Sequence, residues 1–159
     1  MCKEINNSKA IVLWGRENTG KTTTLNLLVH KLINIGANVL SGNFSSTAFI
    51  NNYLTENYYA VFEYDSKKIA VITAGDNDKI LDDYFNKIGC DCDIYICASR
   101  TKGCSCNYIK TLFSENNILW IEKYSVTGNS KNIFPCLKEF QYCANEIQAL
   151  DILKIIHIL

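Results

Sequence analysis

Ala10-Ile11-Val12-Leu13-Trp14-Gly15-Arg16-Glu17-Asn18-Thr19-Gly20-Lys21-Thr22-Thr23 is the stretch on which the fold turns. Its first five residues form an apolar run of strand length. Beyond it, Leu25, Leu28, Val29, Leu32 and Ile35 recur at helical spacing until Gly36, whose left-handed conformation suits a helix end. Between strand and helix lies Gly-x-x-x-x-Gly-Lys-Thr, residues 15 to 22. In that setting the loop's backbone N–H groups turn inward and form an anion-binding nest, and the helix adds the positive end of its dipole. Gly15, Arg16, Glu17, Asn18, Thr19, Gly20, Lys21, Thr22 and Thr23 are therefore expected to cradle the phosphates of a nucleoside triphosphate. Lys21 should reach the β- and γ-phosphates, and the Thr22 hydroxyl should ligate a nucleotide-borne Mg²⁺.

Outward from this stretch, strand and helix patterns alternate. Residues 37 to 41 read as a short strand, followed by a polar loop from Gly42 to Asn52. Residues 58 to 64 and 69 to 74 are β-rich runs joined by Asp65-Ser66-Lys67-Lys68, which suits a hairpin. Ile80, Leu81, Tyr84, Phe85 and Ile88 mark a helix that Asp76, Asn77 or Asp78 could cap. Strand 94 to 98, a helix through Tyr108, Ile109, Leu112 and Phe113, and strand 118 to 123 follow. A last helix is expected from the sole proline, Pro135, to the C-terminus, with His157 in its core-facing set. The pattern predicts one α/β domain over residues 1–159: a doubly wound, mostly parallel sheet with one antiparallel hairpin strand. Ligands of such sheets bind at the carboxyl ends of the strands.

At that edge two further groups suit phosphate chemistry, which needs positioning and charge neutralisation. Asp76, just past the strand ending at Ala74, is the candidate Mg²⁺ or water ligand beside Thr22, with helix capping as the competing role and Asp78 as the other carboxylate. Of 16 basic residues only Arg16 and Arg100 are arginines, and both fall at strand ends. Arg100 is the candidate for sensing or neutralising a γ-phosphate, because its rigid fork matches phosphate oxygens. Lys21, Asp76 and Arg100 are thus the catalytic candidates.

The chain is 48% apolar and 20% charged, with zero formal net charge, so no basic stripe points to nucleic acid. Without a run of about 18 apolar residues or a leader-like N-terminus, the expectation is a cytoplasmic protein without membrane association. Eight cysteines include Cys90-Asp91-Cys92 and Cys104-Ser105-Cys106. The extended segment between the pairs spans roughly 26 Å, too far for one tetrahedral ion, so reduced, non-ligating thiols are expected. The apolar turns near the C-terminus suit packing across the sheet, with a protein partner or homodimer as the other use. His30 reads as a surface or edge side chain.

Across these residues the chain resembles the P-loop NTPase superfamily, and its first 43 residues are most similar to the partition-type, deviant-Walker ATPases. The likeness rests on the run from Arg16 to Thr24, Leu25-Asn26-Leu27-Leu28, Gly36 and Val39-Leu40. Arg16 stands where that family has its signature lysine, and Asn43 where a strand-end aspartate is expected. Thr73-Ala74-Gly75 resembles a segment of small GTPases, with Ile72 in the place of their aspartate and no guanine-reading Asn-Lys-x-Asp. The resemblance implies a P-loop fold, with ATP and Mg²⁺ as ligands and slow hydrolysis that switches a partner. A small-molecule or nucleotide kinase, with an acceptor site at 42–54 and 100–106, stays open, as does an interaction module with a vestigial site.

Overall fold

A computed structural model describes residues 5, 7–44, 56–127 and 136–159. In chain order the elements are β1 (Lys9–Trp14), α1 (Lys21–Asn34), β2 (Asn38–Gly42), β3 (Tyr59–Tyr64), β4 (Lys67–Ile72), α2 (Asp78–Ile88), β5 (Ile94–Ser99), α3 (Cys104–Leu112), β6 (Ile118–Glu122) and α4 (Leu137–Ile158). The six strands form one sheet in the order β2-β3-β4-β5-β1-β6. β3 alone runs against its neighbours, so the sheet is mixed and mostly parallel, as the pattern predicts.

Burial follows from strand periodicity. On β1, Ile11 and Leu13 face a core shared with Leu25 and Leu28 of α1 and Ile152 of α4, while Ala10 and Val12 face a second core with Leu81 and Phe85 of α2 and Ile109 of α3. Helices therefore cover both faces. The central strands β4, β5 and β1 are buried on both sides, which is why they read as continuous rather than alternating apolar runs. Each such large side chain contributes about 1.5–3 kcal/mol on burial. β2 lies at an edge and is exposed throughout.

Two local readings are corrected, and one left open, the cap of α2, is decided. The hairpin connection is two residues, Asp65 and Ser66, rather than four: both have positive φ (52° and 60°), and Lys67 and Lys68 belong to β4. A two-residue turn with two positive φ angles matches the twist of the flanking strands, and here it forms without the usual Asn-Gly signal. The cap of α2 is Asn77, whose side chain accepts from the Lys79 N–H at 2.9 Å. His157 is exposed, lying edge-on to Tyr64 with ring centroids 5.3 Å apart. Only Ile152, Leu153 and Ile156 of the last turns of α4 are buried, because a single sheet face covers one stripe of the helix.

Gly36 (φ 90°) follows α1 as expected. Cys2, Pro135 and the loop from residue 45 to 52 lie outside the described residues. Among the described residues, no helix is long and apolar enough to cross a membrane.

Candidate functional site

The loop between β1 and α1 is braced on both sides. Gly15 N–H donates to the Ser99 carbonyl of β5 at 3.2 Å, and Lys123 N–H, just after β6, donates to the Trp14 carbonyl at 2.8 Å. Within the loop Thr19 Oγ1 donates to the Arg16 carbonyl at 2.9 Å, and Asn18 and Gly20 have φ of 56° and 89°. Gly20 is required twice over. Its φ is left-handed, and a Cβ there would stand 2.7 Å from Asn145 Oδ1 of α4. Among the described residues, none accepts a hydrogen bond from the backbone N–H of residues 20 to 23. The first helical turn contributes to this run, since its donors have no intrahelical carbonyl to reach.

Lys21 sits beneath these donors and is only 5% exposed. Its ammonium donates to the carbonyls of Gly15 (3.0 Å) and Arg16 (2.6 Å) and lies 3.8 Å from Asp76 Oδ1. Arg100, from the end of β5, places Nε 3.7 Å from the same Asp76 oxygen and pairs through Nη2 with Glu17. Burial holds the Lys21 ammonium below its ordinary pKa. The Asp76 carboxylate opposes that shift, and the Arg100 charge adds to it. The pocket thus retains a cation that its protein partners do not fully compensate.

Packing sets these positions. Gly75 lies against β5 so closely that a Cβ would come within 2.1 Å of the Ala98 carbonyl oxygen, so only glycine lets β4 hand the chain over to Asp76 at this point. Ser105 Oγ accepts from the Arg100 N–H at 3.2 Å and anchors the other side.

Of the residues singled out from sequence, Lys21, Asp76 and Arg100 come together. Asn77 takes the capping role, so the Asp76 carboxylate faces the two cations. Asp78 opens α2 and makes no contact with Lys21 among the described residues. Glu17, expected with the rest of the loop to cradle the phosphates, places its carboxylate on Arg100. The Arg16 side chain is exposed, and only its carbonyl joins the network. A cavity of about 410 Å³ is lined by Asn18, Lys21, Thr22, Thr23, Asn57 and Asp76. Among the described residues, no three His, Cys, Asp or Glu side chains are grouped to hold a metal. β5 separates the Cys90/Cys92 pair from Cys104/Cys106, and Cys97 within it is buried, its thiol pushed up to about 12 by burial.

Sequence reasoning assigned no role to three residues. Lys123 is 4% exposed and donates to the Tyr124 carbonyl, and burial together with the nearby Lys21 charge lowers its pKa to about 8. Gln148 of α4 is buried. It accepts from Tyr124 N–H at 2.9 Å and donates to the Glu122 carbonyl at 2.7 Å, pinning the chain after β6 beside the loop. Asn145, one turn earlier, packs on Gly20, and a second cavity of about 280 Å³ lies between Asn18, Thr19, Thr23, Tyr124, Gln141 and Asn145. A usable signal existed: Asn145 and Gln148 are polar residues three apart that fall in line, at helical spacing, with the apolar Ala149, Ile152 and Ile156.

Comparisons with models of known protein families, with curated proteins and with solved structures returned no match. The functional reading therefore rests on the residues and their geometry.

Proposed function

We propose that this chain is a P-loop NTPase that binds ATP with Mg²⁺, hydrolyses it slowly, and uses the difference between its states to switch a partner in the cytoplasm. The observation that carries this reading is the pairing of a buried cation, Lys21, with a run of unpartnered N–H donors at residues 20 to 23. A phosphate chain supplies the missing negative charge and the missing acceptors together.

The residues divide the work by position. Loop N–H groups and Lys21 hold the β- and γ-phosphates, and the Lys21 ammonium exchanges its two carbonyl acceptors for phosphate oxygens. Thr22 and Asp76 line the same cavity, a donor set that fits a Mg²⁺ whose other ligands are phosphate oxygens and water. The ion would add charge neutralisation at the transferring phosphate. Arg100 leaves Glu17 for the γ-phosphate. Slow turnover follows from the positions that lack a carboxylate: Asn43 after β2, and Ile72, an apolar residue fully buried in β4. The adjoining cavity at Tyr124 and Asn145 is sized for the nucleoside end.

A second reading, a kinase that passes the γ-phosphate to a small acceptor, is favoured by one observation. A cavity of about 560 Å³ opens on the other side of the Asp76–Arg100 pair, lined also by Lys79, Lys102 and Ser105. Thermal denaturation with ATP, GTP and their non-hydrolysable analogues, with and without Mg²⁺, tests the nucleotide reading. At a hundred times its dissociation constant the correct ligand stabilises by about 2.7 kcal/mol. Lys21→Ala should abolish the shift, and the absence of a shift with every nucleotide would overturn the reading. Radiolabel transfer to a metabolite library separates kinase from switch.

A further inference from the structure

Trp14 and Trp120 are the only two tryptophans of the chain, and both line one cleft outside the phosphate loop. The cleft has a volume of about 360 Å³ and lies along the β6 edge, on the sheet face that α3 only partly covers. Trp14 is the last residue of β1 and shares a face with Ala10 and Val12, while Trp120 on β6 packs against the same core. Both indoles are half-buried. Among the described residues, neither stacks on another ring and neither indole N–H donates a hydrogen bond. Two half-buried indoles with unpaired N–H groups thus line one small concavity, an expensive arrangement on an edge that could have been closed by aliphatic residues.

The charges around the cleft are equally specific. Lys110 of α3 holds its ammonium 5.8 Å from the centre of the Trp120 ring, Arg100 stands at the end toward the phosphate loop, and Glu115 is the single acid. The lining is therefore one unit positive, and one of its two cations lies over an indole. An aromatic anion in this cleft would meet indole rings and a cation together.

From this arrangement we propose that the Trp14–Trp120 cleft is a second ligand site, for a planar aromatic molecule that carries an anionic group. This site does not depend on the nucleotide reading, because none of its walls belongs to the phosphate loop. It touches the phosphate site through Arg100, which pairs with Glu17 and Asp76, and through Trp14, which directly precedes Gly15. Ring stacking supplies most of the attraction, and the cations select anionic over neutral rings. A ligand that engages Arg100 here competes with the Glu17 pairing.

Tryptophan fluorescence of the full chain reads this site directly, since no other tryptophan contributes. Four probes are titrated: adenosine 5′-monophosphate and benzoate as anions, adenosine and benzyl alcohol as their neutral counterparts. The expected result is saturable quenching by at least one anion, with its neutral counterpart roughly tenfold weaker. The anion that binds tells a nucleotide from an aromatic carboxylate. Lys110→Glu, an exposed change, should reverse the preference for the anion, and Trp120→Phe should keep binding while lowering the signal. Lys21→Ala should leave the quenching intact while abolishing the triphosphate thermal shift, so the two readings fail separately. Linear, unsaturable quenching by all four probes, or quenching lost in Lys21→Ala, would overturn the proposal.

Discussion

Each end of the sheet carries a lysine paired with an aspartate, and the two pairs behave oppositely. At the amino end, Lys68 of β4 pairs with Asp91 just before β5, with both side chains in reach of water. The pairing raises the Lys68 pKa and lowers that of Asp91, each chiefly through their shared hydrogen bond. At the carboxyl end, Lys21 faces Asp76, yet its pKa falls, because burial costs the ammonium more than the carboxylate returns. The chemistry of the two pairs is the same and the solvation differs. A solvated pair is complete in itself. A buried, under-compensated cation attracts a further anion, which is why the proposed function rests on the second pair.

The largest effect should come from exchanging the two lysines in the same assay. Lys21→Ala is expected to weaken triphosphate binding at least a hundredfold, measured by calorimetry, while Lys68→Ala leaves it unchanged. Equal losses would erase the distinction between the ends.

Unfolding as a function of pH sharpens it next. Lys123 has a folded-state pKa of about 8, below its ordinary 10.5. Between those values the unfolded chain binds more protons at this lysine than the folded one, so Lys123 contributes stability that rises with pH across that window. The lowered Lys21 pKa acts in the same direction, while the buried Cys92 and Cys97 thiols, whose pKa values burial raises, act against it. Chemical denaturation of wild type and Lys123→Met from pH 7 to 10.5 isolates the lysine: the stability difference, wild type minus variant, should rise with pH. A difference that falls over this range would contradict the burial argument.

A smaller change is expected from Glu17→Gln. Its carboxylate holds Arg100 and repels phosphate, so the amide should tighten triphosphate binding about fivefold, the equivalent of about 1 kcal/mol. Weaker binding in the variant would mean that Glu17 serves the ligand rather than competing with it. Smallest of all is the cost of Lys68→Ala to stability. An exposed pair contributes less than about 1 kcal/mol, so its denaturation midpoint should barely move.

Much of this protein was legible in its residues. The apolar run before Gly15, the helical spacing after Thr22 and the alternation of strand and helix patterns dictated the mixed α/β sheet, because burial on two faces leaves a periodic record. Lys21, Thr22 and Gly20 stood out through fixed local spacing. Less legible were features that depend on few residues or on distance. The turn at Asp65-Ser66 adopts positive φ without glycine because the twist of β3 and β4 demands it, and the exposure of His157 reflects how narrow a stripe of α4 the sheet can cover.

What the sequence determined by itself was the order of the elements and the loop with its lysine, since both follow from local periodicity and local backbone chemistry. Strand ends also pointed to Asp76 and Arg100, while only the tertiary structure decided which other distant residues meet that loop. Lys123 and Asn145 arrive from the end of β6 and from α4, Glu17 takes Arg100, and the two tryptophans share a cleft although 106 positions separate them. Strand order and side-chain burial fix those meetings, and burial also sets the charge balance at Lys21. Neither quantity is a property of any short stretch of chain.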